Sequence, residues 1–170
     1  SVSERDGDLR LCIEAPDVDP ARLALGDSVA VAGVCLTVVE QLAGGFAADV
    51  SRETLALTTA VQWRPGQALN LEPALRAGDS MGGHLVSGHV DGLAQLVSSR
   101  AEARSQRLRW RAVPELLRFI ATKGSVALDG VSLTVNEVSA AEFAVNLIPY
   151  TLQVTTLGQL AVGGQVNSPH

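Results

Sequence analysis

A stretch of 32 residues occurs twice in this chain, and that repetition constrains the architecture more than any local propensity. Residues Ser28 to Thr59 read SVAVAGVCLTVVEQLAGGFAADVSRETLALTT, and Ser125 to Thr156 read SVALDGVSLTVNEVSAAEFAVNLIPYTLQVTT, 97 positions later and without a gap. The two stretches agree at 16 of 32 positions, whereas unrelated segments of ordinary composition agree at roughly two. A chain of 170 residues with a 97-residue period divides into two similar domains, each large enough to bury a core without staples. The turn-rich run Pro73-Ala74-Leu75-Arg76-Ala77-Gly78-Asp79-Ser80 puts the boundary near Gly78, giving units of residues 1–77 and 78–170.

Within each unit the residue types favour strands. SVAVAGVCLTV and SVALDGVSLTV are dominated by Val, Leu and Thr with one internal glycine, which reads as two strands meeting at a tight turn or bulge at Gly33 and Gly130. FAADV and FAVNL, then TLALTT and TLQVTT, then ALNLEP and QVNSP read as further short strands. The polar starts at Ser1–Leu11 and Ser98–Leu108 read as hairpin turns entering a strand. One short helix per unit is expected, at Pro114 to Ile120 with proline in the first turn, and at Asp19-Pro20-Ala21-Arg22-Leu23 with Asp19 as cap. The class is all-β with short helices, one small barrel or sandwich per repeat.

A net charge of −5, a pI near 5.1 and the lack of a basic run give a phosphate backbone little to bind. Two cysteines, Cys12 and Cys35, make no disulfide framework, and no apolar run has the length of a membrane span or the flanks of a signal peptide. A reducing cytoplasm is the expected address. Subtracting 97 from Gly82–Gly92 places the counterpart of GGHLVSGHVDG before residue 1. The first barrel is therefore expected to lack about a dozen residues and to show an unpaired strand edge.

Local motifs identify no reaction by themselves. Gly83 to Gly88 is followed by His89-Val90 rather than Lys and Ser or Thr, so a phosphate loop fails. His84 and His89 have neither helical nor finger spacing for zinc, and neither Ser87 nor Ser132 stands in a hydrolase elbow. Cys35 reads equally as a small buried hydrophobe or as a functional thiol. Its repeat partner is Ser132, so a thiol and a hydroxyl occupy equivalent places beside Thr37 and Thr134. Asp49 likewise becomes Asn146, Ser51-Arg52-Glu53 becomes Ile148-Pro149-Tyr150, and Gly26 becomes Lys123. Asp49 reads also as a strand-end cap, Arg52 and Glu53 as a solvated pair, and Lys123 as an ordinary exposed lysine.

Taken together, GDSVAVAGVCLTV, DVSRETLALTT, GGHLVSGHVDG, KGSVALDGVSLTVNEV and NLIPYTLQVTTLG resemble the riboflavin synthase family over nearly the whole chain. That resemblance implies two tandem six-stranded Greek-key barrels in a homotrimer, and the dismutation of two 6,7-dimethyl-8-ribityllumazine molecules by four-carbon transfer. The products are riboflavin and 5-amino-6-ribitylaminouracil. It implies no metal and no separate cofactor, an association with lumazine synthase, and, as the alternative, a non-catalytic lumazine- or flavin-binding relative. By motif, the first lumazine meets Cys35, Leu36, Thr37, Asp49, Val50, Ser51, Arg52, Glu53 and Thr54. The second meets Gly88, His89, Val90, Lys123, Ser132, Leu133, Thr134, Asn146, Leu147, Ile148, Pro149, Tyr150 and Thr151. His89 is the expected proton carrier, and Ser132 and Cys35 are candidates to activate water or add to the ring. Ala32 stands where the family shows asparagine, so a polar contact of the first pocket is expected to be lost. Ser168-Pro169-His170 replaces the expected Leu-Glu continuation, and the family's C-terminal trimerisation helix is expected to be missing.

Overall fold

A computed structural model describes residues 1–5, 7–81, 83–84 and 86–168, apart from the side chain of Arg5. The first repeat contributes β1 (Val2–Arg5), β2 (Asp8–Glu14), β3 (Ser28–Val31), β4 (Val34–Leu42), β5 (Gly45–Val50) and β6 (Leu71–Pro73). The second contributes β7 (Gly92–Glu102), β8 (Ser105–Arg111), β9 (Ser125–Leu128), β10 (Val131–Val138), β11 (Glu142–Leu147) and β12 (Gln165–Ser168). Each set forms one six-stranded antiparallel sheet, in the orders β1-β2-β5-β4-β3-β6 and β12-β7-β8-β11-β10-β9. In both, a hairpin is followed by a return that lays the fifth strand of the repeat beside the second, the Greek-key connection.

The alternation that period-2 side chains require is visible along β4 and β10. Val34, Leu36 and Val38 point into the first core, as Leu133 and Val135 do into the second, while Cys35, Thr37, Ser132 and Thr134 face out. Each central strand carries one register shift, between Val38 and Glu40 and between Val135 and Glu137, and these are equivalent positions. The bulge bends the strand so that it serves both faces of its barrel. Phe46 and Phe143 are fully buried at matching places, whereas tryptophan enters from different elements: Trp63 in the first core, Trp110 in the second.

One expectation is overturned in both repeats. TLALTT and TLQVTT are not strands: Arg52–Leu57 and Pro149–Val154 are α-helices, and each runs into a 3-10 turn at Thr59–Gln62 or Thr156–Gln159. We label the two helices α1 and α3, α2 being Pro114–Leu117. Local side-chain bonds outweigh strand propensity here. Ser51 caps α1 by accepting from Thr54 N, and Pro149 takes the first turn of α3. Thr58 and Thr155 close the last turns by donating to Thr54 O at 2.6 Å and Thr151 O at 2.7 Å. The expected helix at Asp19–Leu23 is one 3-10 turn, Pro20–Arg22, with Asp19 accepting from Ala21 N at 2.9 Å.

The repeats meet along a local pseudo-twofold seam. Ala32-Gly33 and Asp129-Gly130 are two-residue turns with positive φ throughout (44°, 77°, 47° and 79°), the twist that tight hairpins favour. The turns stand back to back: a Cβ on Gly33 would lie 2.8 Å from Gly130 N, and one on Gly130 3.1 Å from Gly33 N. Around them two asparagines reach across reciprocally. Asn70 Nδ2 donates to Asp129 O at 3.0 Å and its Oδ1 accepts from Thr156 N at 2.9 Å. Asn167 Nδ2 donates to Ala32 O at 2.9 Å and its Oδ1 accepts from Thr59 N at 2.8 Å. Ala32 lines this seam: it sits in the turn, and its carbonyl faces the other repeat.

Closure differs between the copies. β12 pairs with β7, and Asn167 O also accepts from Asp129 N at 2.8 Å, so the second sheet is nearly a closed barrel. β6 pairs with β3 alone among the described residues. Beyond its other side lies a slot of about 380 Å3 whose lining includes Leu11, Cys12, Ile13, Trp63 and Leu69.

Candidate functional site

The outward faces of the β3-β4 and β9-β10 hairpins carry small side chains. Cys35 lies opposite Ala30 and Thr37 opposite Ser28; Ser132 lies opposite Ala127 and Thr134 opposite Ser125. A flat ring can approach such a surface closely, with one thiol or hydroxyl row beneath it. Four expected contact residues, Leu36, Val50, Leu133 and Leu147, turn their side chains into the cores at 4%, 1%, 8% and 0% exposure. Only their backbone can meet a ligand.

One segment serves both hairpins. At its start, His84 Nδ1 and Ser132 Oγ are hydrogen-bonded at 2.5 Å, and a Cβ on Gly83 would lie 3.6 Å from the same hydroxyl. Four residues on, Gly88 O accepts from Cys35 N at 2.9 Å. Gly88 has φ +73°, and a Cβ there would lie 3.0 Å from Cys35 Cβ, so a larger residue would be strained by both its backbone and its contact. Val90 packs on the first core.

This geometry regroups the expected site. Gly88 and Val90, assigned by motif to the second pocket, lie against the first repeat: Gly88 O accepts from Cys35 N, and Val90 packs on the first core, whereas His84 reaches Ser132. His89 is exposed, and its N–H donates to Ser87 Oγ at 3.4 Å. The imidazole that reaches a candidate hydroxyl is that of His84. Both histidines stand in one motif, and spacing alone could not distinguish them.

The remaining candidates frame the two hairpins. Asp49 takes a two-pronged bond from Arg10, Nε to Oδ1 at 2.7 Å and Nη2 to Oδ2 at 2.8 Å, and the hydrogen bond with Asp49 holds the guanidinium pKa up. Its counterpart Asn146 donates to Glu102 Oε2 at 3.0 Å and keeps a buried Oδ1 without a partner among the described residues. Arg52 turns back onto the first hairpin, Nε donating to Gly7 O at 3.3 Å and its N–H to Asp8 Oδ1 at 3.2 Å. Ser51 and Thr54 bond each other at 3.1 Å, and Glu53 is exposed beside them. Ile148, Pro149 and Tyr150 are exposed at the start of α3, with Thr151 half-buried behind them. Lys123 is exposed at φ +70°, matching Gly26, and its N–H donates to Val135 O at 2.8 Å.

The largest pKa displacement lies at the seam between the two hairpins. Burial pushes the Asp129 carboxyl up to about 7, while the Asn167 N–H, 2.8 Å from Oδ1, pulls it down. On the outer face of the second sheet, hydrogen bonds from Arg109 hold Glu137 below the usual carboxylate range. No group of three or more His, Cys, Asp or Glu side chains able to hold a metal occurs among the described residues.

Two equivalent outward hairpin faces, one per repeat, stand on a doubled all-β fold, the arrangement of a tandem-domain protein. The family described as lumazine binding domain matches twice, over residues 1–74 and 87–168. Riboflavin synthase of Brucella abortus is 51% identical over 154 residues, covering 88% of this chain and 76% of that protein. Riboflavin synthase of Photobacterium phosphoreum is 38% identical over 167 residues, covering 98% of this chain and 77% of that protein. The structure of LumP complexed with riboflavin superposes with a TM-score of 0.88 at 25% identity, covering 99% of this chain and 91% of that one. The chain belongs to the riboflavin synthase family.

Proposed function

We infer that this chain catalyses the riboflavin synthase reaction: one 6,7-dimethyl-8-ribityllumazine gives a four-carbon unit to a second, and riboflavin and 5-amino-6-ribitylaminouracil leave. The reaction is a dismutation between identical molecules, so it needs no external oxidant. The observation that carries it is the pair of equivalent outward seats, Cys35 with Thr37 and Ser132 with Thr134, which offer two copies of one ligand matched but chemically unequal places. Asn146, whose Oδ1 has no partner among the described residues, and the hydroxyls suit a polar ribityl chain, and backbone groups suit the ring's dione edge. Much of the rate is assigned to holding the rings face to face, since orientation alone supplies roughly 7 to 11 kcal/mol.

The units are taken to divide at Gly78, and the reacting pair is proposed to form where the first barrel of one subunit faces the second barrel of another, in a trimer. Exposed apolar side chains at Ile148, Tyr150 and Val154 support α3 as a contact surface. Association with lumazine synthase and a cytoplasmic address are proposed from family resemblance; among the described residues, no helix is long and apolar enough to cross a membrane. Incubating the protein with the lumazine and following riboflavin absorbance tests the enzyme. Stoichiometric binding without product favours instead a ligand carrier, the reading that the structural likeness to LumP supports.

A further inference from the structure

The geometry points to His84 as a positioning residue that aims the Ser132 hydroxyl into the second seat. This rests on the assignment of that seat to a lumazine. Ser132 stands on the outward face of β10, and its hydroxyl can rotate freely unless something fixes it. His84 Nδ1, 2.5 Å away on a half-buried side chain, is that constraint. With Nδ1 bare and Nε2 protonated, the imidazole accepts the O–H, and the oxygen lone pairs are left facing outward toward a ligand. A protonated imidazole reverses the bond, and the hydroxyl proton then swings toward the ligand.

The first seat is built differently from the same segment. There a backbone carbonyl, Gly88 O, holds the backbone of Cys35, and Gly88 packs on the Cys35 Cβ. Backbone backs the Cβ of Cys35, whereas an imidazole holds the Ser132 hydroxyl. Four residues of spacing between His84 and Gly88 thus give the two seats unequal chemistry, and tie their geometry together within one chain.

The test combines turnover with a ligand-free measurement. His84→Phe is expected to lower kcat about 100-fold, with KM within about twofold of the unmodified protein. His84→Asn, whose amide oxygen can accept from Ser132, is expected to recover about tenfold of that loss. In a Ser132→Ala background, His84→Phe should cost little further, the non-additivity of two groups acting as one. Separately, Ser132→Ala should shift the imidazole nitrogen resonance of His84 without ligand and leave that of His89 in place. Additive losses, a rise in KM that accounts for the defect, or a His84 resonance indifferent to Ser132→Ala would each overturn the proposal. Should the unmodified protein bind lumazine without turning it over, only the synthase reading falls. The resonance experiment and the same mutant cycle in binding affinity still decide His84, and they do so for His84→Asn if His84→Phe fails to fold.

Discussion

The two repeats share backbone almost residue for residue and differ in what they hang on it. Strands β3, β5, β9 and β11 coincide after the 97-residue displacement, as do α1 and α3. Yet the thiol of Cys35 answers the hydroxyl of Ser132, and the methyl of Ala32 answers the carboxyl of Asp129. Duplication kept the parts that bury surface and hold the halves together. It released the outward side chains, where a substitution costs little stability. A scaffold that presents one ligand twice can then assign the copies different tasks.

The seam gives the sharpest way to break this symmetry. Gly33→Val and Gly130→Val each combine a left-handed backbone with a Cβ pressed on the opposite turn, and each is expected to destabilise the whole chain by about 4 kcal/mol. Gly26→Ala and Gly44→Ala have positive φ but open space, and should cost about 1 kcal/mol. Chemical denaturation curves of the four variants separate the contact from the conformation.

Next in size is the asparagine clamp. Asn167 is fully buried and exchanges bonds with Ala32 O and Thr59, so Asn167→Leu should lose about 3 kcal/mol, because it leaves buried partners unpaired. Asn70 is only half-buried, and Asn70→Leu should lose about half as much. Equal losses, read from urea midpoints, would mean that burial does not set the difference.

The seats themselves should respond unequally. Ser132→Ala is expected to reduce kcat about 100-fold and Cys35→Ser only about tenfold, since the hydroxyl is coupled to an imidazole and serine keeps a polar group in the thiol's place. Steady-state riboflavin formation measures both.

Asp129 and Ala32, equivalent positions of the two turns, differ in whether their effect depends on pH. The folded-state carboxyl, at about 7, lies above the 3.8 expected of the unfolded chain, so the native state holds its proton more tightly. The corresponding stability is complete below about pH 4 and is lost as pH rises through about 7. Asp129→Asn, which keeps the acceptor for Asn167 N, should remove that slope and gain about 2 kcal/mol at pH 8. Melting temperatures of both proteins between pH 5 and pH 8 make the comparison. Ala32→Asn should gain about 1 kcal/mol with little pH dependence, since asparagine tolerates φ 44° better than alanine and can bond Asn70 N as Asp129 bonds Asn167 N.

The doubled all-β architecture was legible because a gapless repeat needs no tertiary information, and the turns at Gly33 and Gly130 followed from residue type. α1 and α3 were not legible, because Thr58 and Thr155 look like strand formers until their hydroxyls are seen closing helical turns. At the site, Cys35 and Ser132 could be paired by offset alone. The regrouping of Gly88, and the choice of His84 over His89, required knowing that a connecting segment lies across both hairpins. Asn70 and Asn167 also sit 97 apart, but an asparagine that fastens one half to the other looks, in sequence, like any turn residue.

The reciprocal asparagines imply that either half carries both sides of its own contact. In a separately expressed second repeat, the fork of Asn167 would match the Asp129 carbonyl and Thr156 amide of an identical molecule, and glycine would again meet glycine. Such a fragment should crystallise as a twofold dimer that rebuilds the seam from one repeat alone.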